Sequence, residues 1–411
     1  MLIALTKLAD IAVRSMFVLL VLYALPVRET GQFGLGLTLL GVYAFAAGFE
    51  RYNDLQRRLA GTGAHDSDRL IISSLRFFTL NHLVGLPLLA LLLVWWVKLP
   101  LALVLAAAVV GVSEQFCNEV YRIALIAPRY RPLLFTVLGK NALLLAIVVA
   151  QWWQNERTLR IDGVLLAWAG CSLAGLLMIA AGAMRLWTFV HWADVVGAGL
   201  TQRQQWRASA THFLIGLVAM ATLQLDRLIA GGLLSLDESG RYFRHAFLAS
   251  FAYQVFNVAS YNRLAPRIYT DCRSNHPAQA RSAIRQEYQW LVPSAVLVMA
   301  GFYAAVHLGA GVVPALQSVN PHLLALLTAG YFVRTIADFN ALLLNAVMSE
   351  RMVFNAQLAA LAATLLFNLT LTPVLGLTGP MLSLGLTAVV YALATRHFVR
   401  RNRALTSPSP T

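Results

Sequence analysis

Twelve apolar stretches run almost end to end through this 411-residue chain, each close to the roughly 20 residues that a helix needs to cross the hydrocarbon of a bilayer. Inside lipid every backbone amide and carbonyl must be paired within the chain, which leaves helices and closed barrels as the only spanning structures. Runs of this length read as helices. The expected fold class is therefore all-α, a polytopic integral membrane protein of about 12 transmembrane helices. Hydrophobic residues make up 59% of the chain and charged ones 12%, about half the charged share usual in soluble domains. Little chain is left over for a soluble domain. The formal charge of +14 could suggest nucleic acid, but cytoplasmic loops of membrane proteins are rich in Lys and Arg for their own reason, so no nucleic-acid partner is expected. Cys117, Cys171 and Cys272 are scattered, without the spacing of a disulfide framework or a metal site.

The spans are placed near Ala9–Leu25, Phe33–Phe49, Phe77–Val97, Leu101–Ile126, Leu133–Trp153 and Gly163–Met184, then Ala210–Leu233, Tyr242–Tyr261, Leu291–Leu308, Leu323–Val347, Val353–Val374 and Pro380–His397. Pro26, Pro100, Pro128, Pro132, Pro321 and Pro380 mark boundaries between them, as helix-stop rules require. Lys7 ahead of the run from Ser15 to Leu25 imitates a signal peptide, but Arg14 beside that run and the lack of a small-x-small cleavage pattern favour a first membrane helix. One set of alternate loops carries 21 cations, from Lys7 through Arg57, Arg131 and Arg285 to Arg403, and the opposite set carries five: Arg28, Lys98, Arg157, Arg160 and Arg241. The positive-inside rule then puts both termini in the cytoplasm. Reporter fusions after Thr411 and within Gln154–Asp162 should accordingly report opposite sides of the membrane. The same side for both would refute the twelve-helix topology.

An internal repeat appears 209 residues apart, where Glu29-Thr30-Gly31-Gln32-Phe33 opens the second helix and Glu238-Ser239-Gly240-Arg241-Tyr242 the eighth. Six helices per half preserve orientation, so two parallel six-helix bundles are expected, related by an axis along the membrane normal. Residues 1–184 form the N-terminal lobe, 185–209 a cytoplasmic interfacial linker, 210–398 the C-terminal lobe and 399–411 a cytoplasmic tail. The linker mixes Trp187, Trp192 and Trp206 with arginines, a composition suited to a helix lying in the interface, with an ordinary loop as the alternative. The Ser-Pro-Ser-Pro segment from Ser407 reads as disordered.

Formal charges interrupt the interiors of these spans. A charge at the centre of a membrane helix costs roughly 2.5–3.5 kcal/mol on insertion scales, so the spans must handle something polar. The cations inside them are Arg14, Arg122, Lys140, Arg227, Arg244 and Arg334, and the carboxylates are Asp10, Glu114, Glu119, Asp226 and Asp338. Helix 4 has the clearest stripe, with Glu114, Asn118, Tyr121 and Arg122 on one face. The cations are candidates for binding an anionic substrate. Glu114, Asp226 and Asp338 are candidates for loading a coupling ion, Glu114 foremost because Asn118 and Tyr121 share its face. The bland alternatives are structural pairs: Glu114 with Arg122, Asp10 with Arg14, Asp226 with Arg227, and Arg334 with Asp338. Enzyme signals are poor: nine histidines lack metal-ligand spacing, and there is no HExxH, P-loop, GxSxG or CxxC array. No catalytic residue, metal site or cofactor is expected, and the chain reads as a transporter.

The pattern resembles the polysaccharide-repeat-unit flippases, the Wzx-like proteins of the multidrug/oligosaccharidyl-lipid/polysaccharide exporter superfamily. The resemblance rests on Gly31-Gln32-Phe33, on Gln224-Leu225-Asp226-Arg227 with Gly240-Arg241-Tyr242, and on the run from Phe367-Asn368 to Thr372-Pro373 leading into Gly376-Leu377-Thr378-Gly379-Pro380. It implies two six-helix bundles in a V around a cationic cavity, in the bacterial inner membrane. It also implies an undecaprenyl-pyrophosphate-linked oligosaccharide as substrate, moved to the periplasmic leaflet for O-antigen, exopolysaccharide or a related surface glycan. Membrane lipids, a polysaccharide polymerase and a chain-length regulator are the implied partners. Twelve helices, not fourteen, set the chain apart from the lipid II flippase branch. A small-solute or drug antiporter of the same superfamily is the main alternative. A glycan polymerase or ligase is a weaker one, because the outward loops Gln154–Asp162 and Gly309–Pro321 are short.

Overall fold

The computed structural model describes residues 2–51, 55, 59, 64–187, 202–274, 276–309, 319–402 and 405. Twelve long helices follow one another among them. The first half has α1 (Leu2–Ala24), α2 (Val27–Gly48), α3 (Ala64–Trp95), α4 (Leu101–Ile126), α5 (Leu133–Gln154) and α6 (Ile161–Leu186), with a 3-10 turn at Pro128–Tyr130 between α4 and α5. The second has α7 (Gln202–Leu233), α8 (Leu236–Arg273), α9 (Pro277–Gly309), α10 (Pro321–Ala346), α11 (Glu350–Leu375) and α12 (Thr378–Arg401). Among the described residues nine of these are long and apolar enough to cross a membrane. The other three, α1, α8 and α10, are the helices that hold Asp10 and Arg14, Arg244, and Arg334 and Asp338. The charge that lowers their hydropathy turns inward: Asp10, Arg244 and Arg334 are buried, while Val84, Trp95, Trp153, Leu297 and Val374 are each more than two-thirds exposed. This is the polarity of a protein whose outer solvent is lipid.

Several helices are longer than their apolar windows. The third begins at Ala64, not Phe77; α7 begins at Gln202, not Ala210; α9 begins at Pro277, not Leu291; and α8 runs from Leu236 to Arg273 in place of Tyr242–Tyr261. Its 38 residues make a rod of about 57 Å, well beyond the roughly 30 Å of hydrocarbon. Helical hydrogen bonding continues into polar turns wherever water can solvate the side chains, and a hydropathy reading registers only the part in lipid. The expected linker falls largely on residues 188–201, outside the described residues, and so does the tail from 406 onward. From Gln202 to Ser209 the linker is the first turns of α7.

The chain divides into two compact units, Met1–Leu217 and Val218–Thr411. The start of α7 is held to the first unit by Gln205 Nε2 donating to Ser73 Oγ at 3.1 Å and by Phe213 stacking on Phe49 at 4.0 Å. The boundaries around the first turn of each half recur at the spacing of the sequence repeat: Ala24 and Val27 return 209 residues later as Leu233 and Leu236. Each unit packs its second helix on its third and fourth, and its sixth on its fourth and fifth. They differ at the first helix. In the first unit α1 lies along α5, whereas α7 has no comparable packing on α11.

The repeated glutamates do similar work at the turns. Glu238 closes a capping box with Ser235, each side chain meeting the other's backbone N–H, and Glu29 accepts from the Ile161 backbone N–H at 2.7 Å at the start of α6. The turn from α11 to α12 needs its glycines. Gly376 sits at φ +55°, and a methyl on Gly379 would fall 2.6 Å from the Leu371 carbonyl oxygen and the Thr372 Cα. Backbone cannot yield as a side-chain tip can. Gly379→Ala should therefore lower stability by about 1–3 kcal/mol, read as a reduced melting temperature in detergent, and an unchanged melt would show that the turn relaxes freely.

Candidate functional site

Three helices of the first unit bring charged side chains to one place, and a fourth adds an indole. On α1, Asp10 and Arg14 are one turn apart and pair at 3.0 Å through Arg14 Nε. The same guanidinium reaches α4, with Nη1 2.8 Å from Glu114 Oε2. From α5, Lys140 Nζ donates to Glu114 Oε1 at 2.5 Å and Asn141 Nδ2 to Asp10 Oδ1 at 2.5 Å. Trp168 on α6 adds an indole N–H to Glu114 Oε1 at 3.4 Å. Two cations thus face two carboxylates. Pairing of this kind is what lets such charges stay in a medium where each alone would cost several kcal/mol. The lysine stem fits because α6 carries glycine opposite it: a Cβ on Gly175 would lie 2.7 Å from Lys140 Cδ.

Beside this network is a cavity of about 310 Å³, lined by α1, α2, α4, α5 and α6. Arg14, Glu50, Glu114, Gln115, Asn118, Glu119, Arg122 and Asn141 give it a polar wall, against Phe17, Leu40, Phe45 and Trp168. Arg14 keeps one buried donor, Nη2, without a hydrogen-bond partner. Arg122 pairs with Glu119 at 3.0 Å, three residues back on its own helix. That corrects one expected pair: Glu114 is engaged by Arg14 and Lys140, because its side chain leaves α4 toward α1 and α5, while Arg122 leaves toward Glu119.

In the second unit the charges are organised by tyrosines. Asp226 on α7 accepts a short hydrogen bond from Tyr242 of α8. Its neighbour Arg227 turns away, donating to Gln224 Oε1 at 3.2 Å and Tyr331 Oη at 3.3 Å and lying 4.5 Å from the Phe247 ring centre. Tyr331 stacks on Tyr253 at 5.1 Å, and Tyr253 donates to Asp338 Oδ2 at 2.7 Å. Arg334 rests over the Tyr391 ring at 5.5 Å. Neither Asp226–Arg227 nor Arg334–Asp338 is an ion pair, so these two structural alternatives are not the arrangement found. Neighbours in sequence point about 100° apart on a helix, and Asp338 already meets Tyr253 and Asn257 on α8. Arg244 is buried within α8.

A second small cavity, about 10 Å³, is lined by Thr222, Asp226, Arg334, Thr364, Asn368 and Thr387 among others. It has the size of one water-sized sphere. Asn368 donates its amide to the Thr364 carbonyl at 2.8 Å, which turns its own Oδ1 away from that bond. Asn368 Oδ1, Asp226 Oδ1 and the Thr387 hydroxyl are all buried and, among the described residues, without a partner. Asp10 and Asn141 occupy the corresponding helices of the first unit and bond directly. Here both side chains bring an acceptor to the wall of one small cavity, an arrangement suited to a small cation or a proton donor within it.

Of the residues that sequence reasoning singled out, Arg14, Glu114 and Lys140 belong to the first cluster and Arg122 lines the cavity beside it, Asp226, Arg227, Arg334 and Asp338 belong to the second, and Arg244 is buried in α8 outside the lining of both cavities. The same reasoning passed over Asn368, Thr387, Trp168 and Gly175. Asn368 stood in a quoted motif, but an asparagine in an apolar run carries no sign of which atom it presents. Trp168 and Gly175 have no such signal at all.

Neither a family model nor a curated relative matches the sequence. Solved structures do match in fold. The chain superposes on an inward-facing multidrug resistance MATE family transporter of the MOP superfamily with a TM-score of 0.72 at 12% identity, covering 97% of this chain and 96% of that one. It superposes on the lipid II flippase MurJ in an inward closed conformation with a TM-score of 0.69 at 12% identity, covering 97% and 87%. A MOP superfamily transporter from Pyrococcus furiosus matches at 0.54 and 14%, covering 98% and 93%. At these identities the likeness is one of fold: the described residues, helical with connecting turns, share the architecture of these solved transporters.

Proposed function

We propose that the protein is a flippase for a lipid-linked anionic head group, in particular an undecaprenyl-pyrophosphate-linked oligosaccharide, moved from the cytoplasmic to the periplasmic leaflet of the bacterial inner membrane by ion-coupled alternating access. The observation that carries this reading is Arg14, a guanidinium in the wall of the 310 Å³ cavity with a buried donor to spare. A phosphate oxygen would gain a charge-assisted hydrogen bond there, and it could draw Arg14 away from Glu114. A glycan covered in hydroxyls needs such a polar wall, while its polyprenyl tail can remain in lipid. The coupling ion is assigned to Asp226, whose buried Oδ1 has no partner among the described residues while Oδ2 accepts from Tyr242, in preference to Glu114, both of whose oxygens are engaged by Arg14 and Lys140, and to Asp338, which meets Tyr253 and Asn257. A polymerase and a chain-length regulator would receive the product.

Glu50, Glu114 and Glu119 in the same cavity favour a second reading, an antiporter of cationic solutes. Proteoliposomes separate the two. Under the flippase reading a fluorescent polyprenyl-pyrophosphate oligosaccharide crosses the bilayer, and Arg14→Gln slows it by about tenfold, the worth of one hydrogen bond to a charged group. Transport of a cationic dye, with no movement of the lipid-linked glycan, would establish the antiporter.

A further inference from the structure

The first unit carries a second recess that the charged network does not use. It measures about 340 Å³ and is apolar, with Leu75 and Thr79 on α3, Phe116 and Ile123 on α4, and Ile179 and Ala183 on α6 in its walls. It exists because α3 packs on α2 and α4 while α6 packs on α4 and α5, so that among the described residues a strip of α4 stays uncovered between α3 and α6. One end is closed by Tyr130 and Trp187, whose indole donates to the Tyr130 hydroxyl at 3.0 Å, and Tyr130 in turn donates to Asp68 at 2.5 Å. The arginines flanking that end, Arg131 and Arg185, are exposed.

The apolar recess and the polar cavity share one residue, Glu119. It occupies the edge of α4 between the face of Gln115 and Arg122 and the face of Phe116 and Ile123. Glu119 is buried; Oε1 takes the bond from Arg122, and Oε2 has no partner. Gln115, one turn earlier and also buried, holds an Nε2 donor without a partner. Both side chains line the polar cavity beside Gly48, at the end of α2, where a methyl would lie 3.5 Å from Glu119 Oε1 and 3.7 Å from Gln115 Nε2. An acceptor and a donor one turn apart on the same wall suit a hydroxyl, which gives one hydrogen bond and takes another.

Resting on the flippase reading, we propose that the first unit binds its lipid-linked substrate extended across Glu119, with the isoprenoid chain in the α3–α6 groove and the hydroxylated, phosphorylated head in the polar cavity. Polarity changes at the point where an amphipathic ligand changes. The flanking arginines suit an anionic lipid entering from the cytoplasmic leaflet. An ordinary annular acyl chain would explain the groove but not the unpartnered pair at its inner edge.

The test is photo-crosslinking of the full-length protein in nanodiscs with a diazirine-bearing polyprenyl pyrophosphate, read by peptide mass mapping. Labelling should fall on α3 around Leu75 and Thr79 and on α6 around Ala180 and Ala183, and excess unlabelled polyprenyl-pyrophosphate glycan should suppress it while phosphatidylglycerol does not. Ala183→Trp, which fills the groove, should reduce labelling there about tenfold, the affinity carried by roughly two buried methylene groups. Leu177→Trp, on the exposed lipid-facing side of α6, should leave it unchanged, which controls for folding. Labelling competed equally by phosphatidylglycerol, or unaffected by Ala183→Trp, overturns the groove assignment. Flipping measured on the same samples keeps the two readings apart: flipping without groove labelling refutes the groove alone, and groove labelling without flipping refutes the transport reading alone.

Discussion

Glu114→Ala should lower the stability of the protein by about 3–5 kcal/mol, the usual consequence of removing one member of a buried ion pair. Arg14, Lys140 and Trp168 all point hydrogens at this carboxylate, from 2.8, 2.5 and 3.4 Å. The Lys140 side chain is only 2% exposed, so without Glu114 its ammonium stays in a medium that cannot solvate it. Removing the cation as well should restore much of the loss. The double variant Glu114→Gln with Lys140→Met should therefore melt well above Glu114→Ala in detergent, although it has lost more charges. A substrate-contact role alone predicts the reverse pattern, with unchanged melting and slower flipping. If Glu114→Ala melts like the native protein, the four-helix network does not hold the first unit together.

Asp226→Asn should uncouple transport from the ion gradient. In the native protein one coupling charge moving through 100 mV is worth about 2.3 kcal/mol, or roughly a 50-fold bias in the direction of flipping. Asparagine at this position keeps an oxygen for Tyr242 and removes the charge that balances an incoming cation. The response to an imposed sodium or proton gradient should disappear, while the downhill exchange rate changes little. Sodium should also raise the melting temperature of the native protein and not of the variant if it is the coupling ion, because a ligand that binds only the folded state stabilises it by mass action. Asp338→Asn should retain the gradient response, since Tyr253 and Asn257 already engage that carboxylate. A native protein that ignores both gradients would replace coupling by downhill exchange of the substrate.

Much of this architecture could be read from the chain in advance. The hydrocarbon of a bilayer imposes a length and a polarity on every span, so the helix count and the inward turn of Asp10, Lys140 and Arg334 followed from cost alone. The six-plus-six organisation was visible in the Glu29 and Glu238 openings, which stand 209 residues apart at the start of the second helix of each half; Glu238 caps its own turn, a contact between sequence neighbours, whereas Glu29 reaches Ile161, 132 residues on. Helix ends were less legible: α8 continues a dozen residues past Tyr261, where water takes over from lipid and apolarity ceases to be required.

Partnership was a different matter. Spacing along α4 suggested Glu114 with Arg122, and spacing along α10 suggested Arg334 with Asp338, because i,i+4 and i,i+8 positions are the only proximities a linear sequence displays. The folded chain pairs Glu114 with residues 100 positions earlier and 26 later, and gives Asp338 to Tyr253, 85 positions away. Two units built to one pattern also treat the same residue types differently. Asp10 and Asn141 bond directly, whereas Asp226 and Asn368 each keep a buried oxygen without a partner among the described residues, in keeping with α1 lying along α5 while α7 has no comparable packing on α11. By itself the sequence determined which side chains had to leave the lipid, through the free energy of placing charge in hydrocarbon. Only the tertiary structure decided whom each of them met, because hydrogen bonds and ion pairs depend on ångström separations between helices that no periodicity records.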